Sequence, residues 1–251
     1  MARLFIGTSG WTYSSWKGAF YPETLPSKRY LEFYSREFDS TEVNYSFYHL
    51  PRPSTYEKWA AQVPKDFIFA LKASRFITHV KRLIGIEEAW STFVQNALAL
   101  GSHLGPVLLQ FPPSLRIDRK RLGAFLRAAQ RPVARSHRLR LACEFRHDSW
   151  FTEEIFSLLS RYNATLCVAD SPRYPRQNVV TANFVYIRFH GRTKLFASKY
   201  SDAELAEEAK RIKRYLRDGL DTYVYFNNDA LGYAVENART LRQMIAKKGR
   251  P

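Results

Sequence analysis

The residues best suited to chemistry cluster between Leu139 and Trp150, LRLACEFRHDSW. Leu139, Leu141, Cys143 and Phe145 alternate with Arg140, Ala142, Glu144 and Arg146. A period of two is that of a strand, so one face packs on a hydrophobic layer while the other carries a carboxylate and a guanidinium two residues apart. The device recurs along the chain. Glu42 and Asn44 end STEVN, Lys72 lies in FIFALKAS, and Gln110 is near the end of GPVLLQF. Asp170 closes TLCVAD, Arg188 and His190 close FVYIRFH, and Asn227 and Asn228 follow TYVYF. Parity aims Glu42, Lys72, Glu144, Arg146, Asp170, Arg188 and His190 to one inner side.

Three acids, three bases and a histidine converging on one mouth would be costly unless paired or used. A self-neutralising ion network is the plain alternative to a working site. Three functions fit the set. Glu42, Glu144, Asp170 and His190 offer oxygen and imidazole ligands for a divalent metal, although no HxxE, HxH or HExxH spacing occurs and the nearby cations oppose one. Metal-free acid/base chemistry is the second, with Glu144 as general base, Glu42 and Asp170 in support and His190 as acid or base. Lys72, Arg146 and Arg188 would then hold an anion, and Asn44, Gln110, Asn227 and Asn228 would orient the substrate. The third is non-catalytic nucleic-acid binding, with Trp11, Trp16, Tyr45, Tyr48 and Trp150 stacking on bases.

The positioning elements follow from the pattern. Strands are expected at 3–7, 40–44, 67–74, 105–111, 139–145, 165–170, 184–190 and 222–227. Helices are expected at 25–38, 54–62, 87–100, 118–130, 152–162, 202–216 and 231–246. The stretch from 171 to 183 reads as irregular. Strands alternating with helices imply a parallel sheet, and eight such units imply a single (β/α)8 TIM-type barrel over residues 1–251, an α/β fold with its working face at the strand C-terminal ends. An open doubly wound sheet is the runner-up, but no dinucleotide fingerprint or phosphate-loop motif is present, so no nucleotide cofactor is expected. The five aromatics of GTSGWTYSSWKGAFYP read as a packed lid or rim. His79, His103, His137 and His147 read as surface or hydrogen-bonding residues. The basic run from Arg131 to Arg140 belongs to the opposite, N-terminal end of the barrel.

Composition bounds the partners. A formal charge of +16 in 251 residues favours polyanions such as phosphorylated metabolites or nucleic acid. The two cysteines, Cys143 and Cys167, are too few for a disulfide framework; both read as buried hydrophobes on the apolar parity of their strands. No apolar run reaches membrane-spanning length and no signal-peptide pattern opens the sequence, so no membrane partner and a cytoplasmic protein are expected. Oligomeric state is not encoded in any pattern.

The segments GTSGWTYSSWKGAFYP, STEVNYSFYHLP, LKASRFITH, VLLQFPPSL, CEFRHDSWF, YIRFHGR, KYSDAEL and YFNNDALGYAVENA, in that order, resemble the YecE-like family, a domain of unknown function. The resemblance spans nearly the whole chain. It implies a TIM-type barrel and no established reaction, and its motifs fall here on Gly7 and on the site residues named above except for the stacking aromatics other than Trp11. The expectation is an enzyme acting on a phosphorylated or nucleic-acid substrate, hydrolase-like or metal-free, with a nucleic-acid-binding barrel as the alternative.

Overall fold

The computed structural model describes residues 1–129 and 139–246. Eight parallel strands, β1 (Leu4–Thr8), β2 (Ser40–Val43), β3 (Ile68–Lys72), β4 (Leu104–Gln110), β5 (Leu141–Glu144), β6 (Thr165–Asp170), β7 (Phe184–Phe189) and β8 (Asp221–Phe226), run in the order β1-β8-β7-β6-β5-β4-β3-β2. A bridge between Ser9 and Glu42 brings the two ends of this order together. The result is a nearly closed (β/α)8 barrel.

Helices fill the returns: α1 (Tyr30–Glu37), the single turn α2 (Tyr45–Tyr48), α3 (Pro53–Ala60), α4 (Glu87–Ala97), α5 (Arg119–Ala129), α6 (Glu153–Arg161), α7 (Asp202–Arg217) and α8 (Tyr233–Ala246). Their starts follow local chemistry. Pro53 opens α3, the Thr152 hydroxyl caps α6, and Ser201 and Glu204 form a reciprocal capping box on α7. As expected, no helix follows β6. Gln130 and the basic run through residue 138, with His137, lie outside the described residues. Among the described residues no helix is long and apolar enough to cross a membrane.

The seam between β1 and β2 is held by side chains. The Asp39 carboxylate accepts from the Ile6 amide at 3.0 Å, and the Thr41 hydroxyl donates to the Thr8 carbonyl at 3.1 Å. The strands approach so closely that a Cβ on Gly7 would sit 1.9 Å from the Ser40 carbonyl oxygen. Only glycine fits there.

Packing divides into two layers. The outer strand faces meet the helices in the main core, and a smaller inner cluster of Phe5, Ala70, Leu108, Ala142, Cys167, Ala169, Phe184, Tyr186, Tyr223 and Tyr225 plugs the barrel. Two parity expectations are corrected here. Cys167 faces inward, whereas Cys143 faces outward as expected. Because Cys167 and Ala169 take the inner positions, Asp170 must point out of the barrel. Its carboxylate accepts from Arg176 at 2.8 Å and Arg192 at 3.0 Å, beside Glu208 of α7.

Candidate active site at the barrel mouth

Above the apolar plug, the inward positions nearest the strand ends carry Glu42, Lys72, Gln110, Glu144 and Arg188, followed by Arg146, His190 and Asn227 just beyond. The order explains how they meet. Gln110 lies beside Glu144 in register, and Arg188 lies between Ala169 and Tyr225, small and large neighbours that let its long side chain cross the barrel.

Arg188 is the hub. It is completely buried, donating from Nη1 to Glu144 at 2.5 Å and from Nη2 to Glu42 at 2.7 Å. Tyr186 donates to the other Glu42 oxygen at 2.7 Å, and Arg146 Nε donates to the other Glu144 oxygen at 2.8 Å. Burial works against ionisation of both acids, but Arg188 outweighs it and holds both carboxyls below their usual range, Glu144 far below with the help of Arg146. A carboxylate so held is a very weak base.

His190 is sealed beside this network, with Nε2 3.6 Å from Glu144 and Nδ1 3.1 Å from the Asn227 amide nitrogen. Burial, reinforced by Arg188, pushes its imidazole down to about 4, so it is neutral near pH 7. The four candidate metal ligands therefore do not assemble. A guanidinium bridges Glu42 and Glu144, Asp170 lies outside the barrel, and among the described residues no cluster of three or more His, Cys, Asp or Glu is placed to hold a metal.

Over the network opens a cavity of about 660 Å³ lined by Tyr13, Asn44, Phe47, Tyr48, Lys72, Arg75, His79, Gln110, Arg146, Phe196, Asn227 and Asp229. Glu42, Glu144, Arg188 and His190 form its foundation and do not line it. Asn228 is absent as well: its amide donates to the Ser198 carbonyl and to Asn237 Oδ1, both at 2.9 Å, which ties the β7 and β8 loops to α8. Trp11 lies to one side, edge-on to Trp59 at 5.4 Å, in a neighbouring groove of about 680 Å³ with Tyr45, His49 and Lys58. Tyr13, Asn44 and Tyr48 line both spaces. Of the first loop's aromatics, Trp16, Phe20 and Tyr21 are buried as packing, and Trp16 Nε1 anchors the Asp229 carbonyl at 3.1 Å.

The cavity's electrostatics are distinctive. Lys72 is 8% exposed, its ammonium 4.0 Å from the centroid of the Phe47 ring, with no hydrogen bond or ion pair to an acid among the described residues. Burial first, then Arg188, pushes its amine down to about 7. Arg146 lies with its guanidinium carbon 4.3 Å from the centre of the Tyr174 ring; one edge is engaged by Glu144. Asp229 is the acid on the wall among the described residues, and burial pushes its carboxyl up to about 6. Gln110 Nε2, Asn44 Oδ1 and Asp229 Oδ1 find no partner among the described residues. Three side chains of the lining thus each bury one polar atom without a partner among the described residues.

Tyr13 lines the mouth as one of the rim aromatics, whereas Phe47, Arg75, Phe196 and Asp229 were not among the expected site residues and His79 was read as a loop histidine. The position of Asp229 after Asn227 and Asn228, beyond β8, was the signal available for it. His79 is carried into the mouth by a π-helical turn, Phe76–Val80, a feature concentrated at functional sites. Burial, then Lys72, pushes its imidazole down to about 4.

Comparison with known proteins places this architecture. Residues 5–251 match the family described as "Protein of unknown function DUF72". The UPF0759 protein YunF of Bacillus subtilis is 26% identical over 96% of this chain and 94% of its own length. The UPF0759 protein YecE of Escherichia coli is 28% identical over 43% of this chain and 38% of its own. A crystal structure of a DUF72 family protein from Thermotoga maritima superposes with a TM-score of 0.79 at 29% identity, covering 98% of this chain and all of that one, 100%. The chain belongs to the DUF72 family of proteins of unknown function, the YecE-like group that its motifs resemble.

Proposed function

We propose that the chain is an enzyme that draws a phosphate-bearing substrate into the barrel mouth and performs acid/base chemistry on it. The charge balance carries this reading. Glu42 and Glu144 are both occupied by Arg188, which leaves Lys72, Arg75 and Arg146 facing the cavity against the lone acid Asp229 among the described residues. Arg146, stacked and anchored at one edge, suits an oxyanion at its other edge. Lys72 and Asp229 are the wall groups whose protonation changes near neutral pH, so they take over the acid/base roles that sequence parity gave to Glu144 and His190. Glu144, Glu42 and His190 become the scaffold that aims the cations.

The test is calorimetric titration with a panel of phosphate monoesters. Arg146→Met is expected to weaken the best binder by about ten- to a hundredfold, the loss of a charge-assisted hydrogen bond. Absence of binding by every phosphorylated compound, or affinity indifferent to Arg146, would remove this reading.

The neighbouring aromatic groove favours a second reading, a nucleic-acid-binding barrel that stacks bases on Trp11, Tyr45 and Trp59 beside the cationic mouth. It requires oligonucleotide affinity that falls steeply with salt, with no product formed.

A further inference from the structure

We propose that Lys72 is a covalent nucleophile that forms an imine with a carbonyl carbon of the phosphate-bearing substrate. The proposal rests on the anion-binding reading above and adds the substrate class, a phosphorylated aldehyde or ketone.

The geometry supports it first. An amine used only to hold phosphate would be expected near water or beside a stabilising acid. Lys72 instead comes from the rigid end of β3 and is nearly enclosed, with its ammonium over the Phe47 ring and its tip toward the cavity. Glu42 and Glu144 draw on its charge from below, but Arg188 lies between them and engages both, so neither binds the amine directly. The charged and titratable groups around it are Arg188, Glu42 and Glu144 from beneath, Arg146 from the β5 end, and Arg75 and His79 from the loop after β3. Burial and two nearby arginines favour the free amine, and a free amine beside another cationic group is the activated form of a lysine nucleophile. Arg146 and Arg75 would fix the phosphate, leaving the carbonyl end of a short substrate to reach Lys72.

The step balances. The neutral amine adds to the carbonyl carbon, a C–N bond forms, the π electrons go to oxygen, and the proton shed by the new ammonium passes to that oxygen, which restores the nitrogen lone pair. The resulting carbinolamine loses that oxygen as water after protonation by an acid on the wall. Asp229 is positioned on that wall and carries a proton on a substantial fraction of molecules at slightly acid pH. The nitrogen lone pair closes the C=N bond, giving a protonated imine. No oxidant, reductant or metal enters.

The experiment is borohydride trapping with dihydroxyacetone phosphate as probe, followed by peptide mapping. The expected product is Lys72 heavier by the probe minus one oxygen atom, formed at least tenfold faster than on the exposed Lys210 and with half-maximal rate near pH 7. Lys72→Met, which exchanges the amine for an apolar chain of similar length, should still melt cooperatively, at or above the parent's temperature, and lose the fast adduct. Labelling of Lys72 no faster than Lys210, or fast labelling that survives in Lys72→Met, would overturn the proposal. The two readings separate cleanly. Phosphate-ester binding without an adduct on Lys72 overturns the nucleophile and leaves the anion site standing. Equal trapping of dihydroxyacetone and its phosphate supports the nucleophile and overturns the anion site.

Discussion

Arg188→Met should destabilise the fold by about 3–5 kcal/mol, because it leaves Glu42 and Glu144 buried, close together and without their shared cation. For a chain of this size that corresponds to a fall in melting temperature on the order of 10 °C. Size is not the issue, since methionine fills much of the arginine volume. Charge is. Replacing both acids together with Arg188, as Glu42→Gln, Glu144→Gln and Arg188→Met, should recover a large part of the loss, since no unpaired ion then remains. Thermal melts of the single and triple variants check this. A single variant as stable as the parent would mean that the hub does not organise the mouth.

Lys72→Met should act in the opposite sense, stabilising the protein by about 2–4 kcal/mol near pH 7 while abolishing turnover. The sign follows from linkage. The folded amine is pushed down from 10.5 to about 7, so between those values the unfolded chain binds a proton that the folded chain does not. Burying the charged amine costs the parent protein its full penalty below about pH 7, and the penalty disappears as pH rises toward 10.5. The advantage of Lys72→Met should therefore be constant in acid and vanish in alkali. Denaturant unfolding of both proteins from pH 6 to about 10.5 measures it; a difference independent of pH would show that Lys72 is an ordinary amine.

The fold was legible because the strands announce themselves. Residues 104–110 are almost wholly apolar, as a strand covered on both sides must be, and β5 and β7 alternate cleanly. Parity failed where it carried no contrast. In TLCVAD, Leu166, Cys167, Val168 and Ala169 put apolar residues on both faces, so the lone charge at the end did not reveal its side. The choice was made by Arg176 and Arg192, loop residues whose contact with Asp170 depends on tertiary structure. Asn227 and Asn228 divide for a simpler reason: adjacent residues leaving a strand point apart, one toward His190 and the other toward Asn237.

Roles were harder to read than positions. Parity aimed Glu42, Glu144, Lys72, Arg146 and Arg188 inward but could not show that a single guanidinium engages both glutamates. That pairing occupies both glutamates and leaves Lys72 as a buried amine with no acid partner among the described residues. His79 and Asp229 come from loops, where no periodicity indicates direction.

The measurement that bears most directly on the cationic mouth is the titration of Lys72 itself. Nitrogen NMR of the lysine side chains, with Lys72 assigned by its absence in Lys72→Met, would give its pKa with and without a bound phosphate monoester. A midpoint near 7 in the free protein that moves upward when the anion binds is the predicted result, since a neighbouring negative charge favours the ammonium. A midpoint near 10.5 that phosphate leaves unchanged would contradict both the buried amine and the anion site built around it.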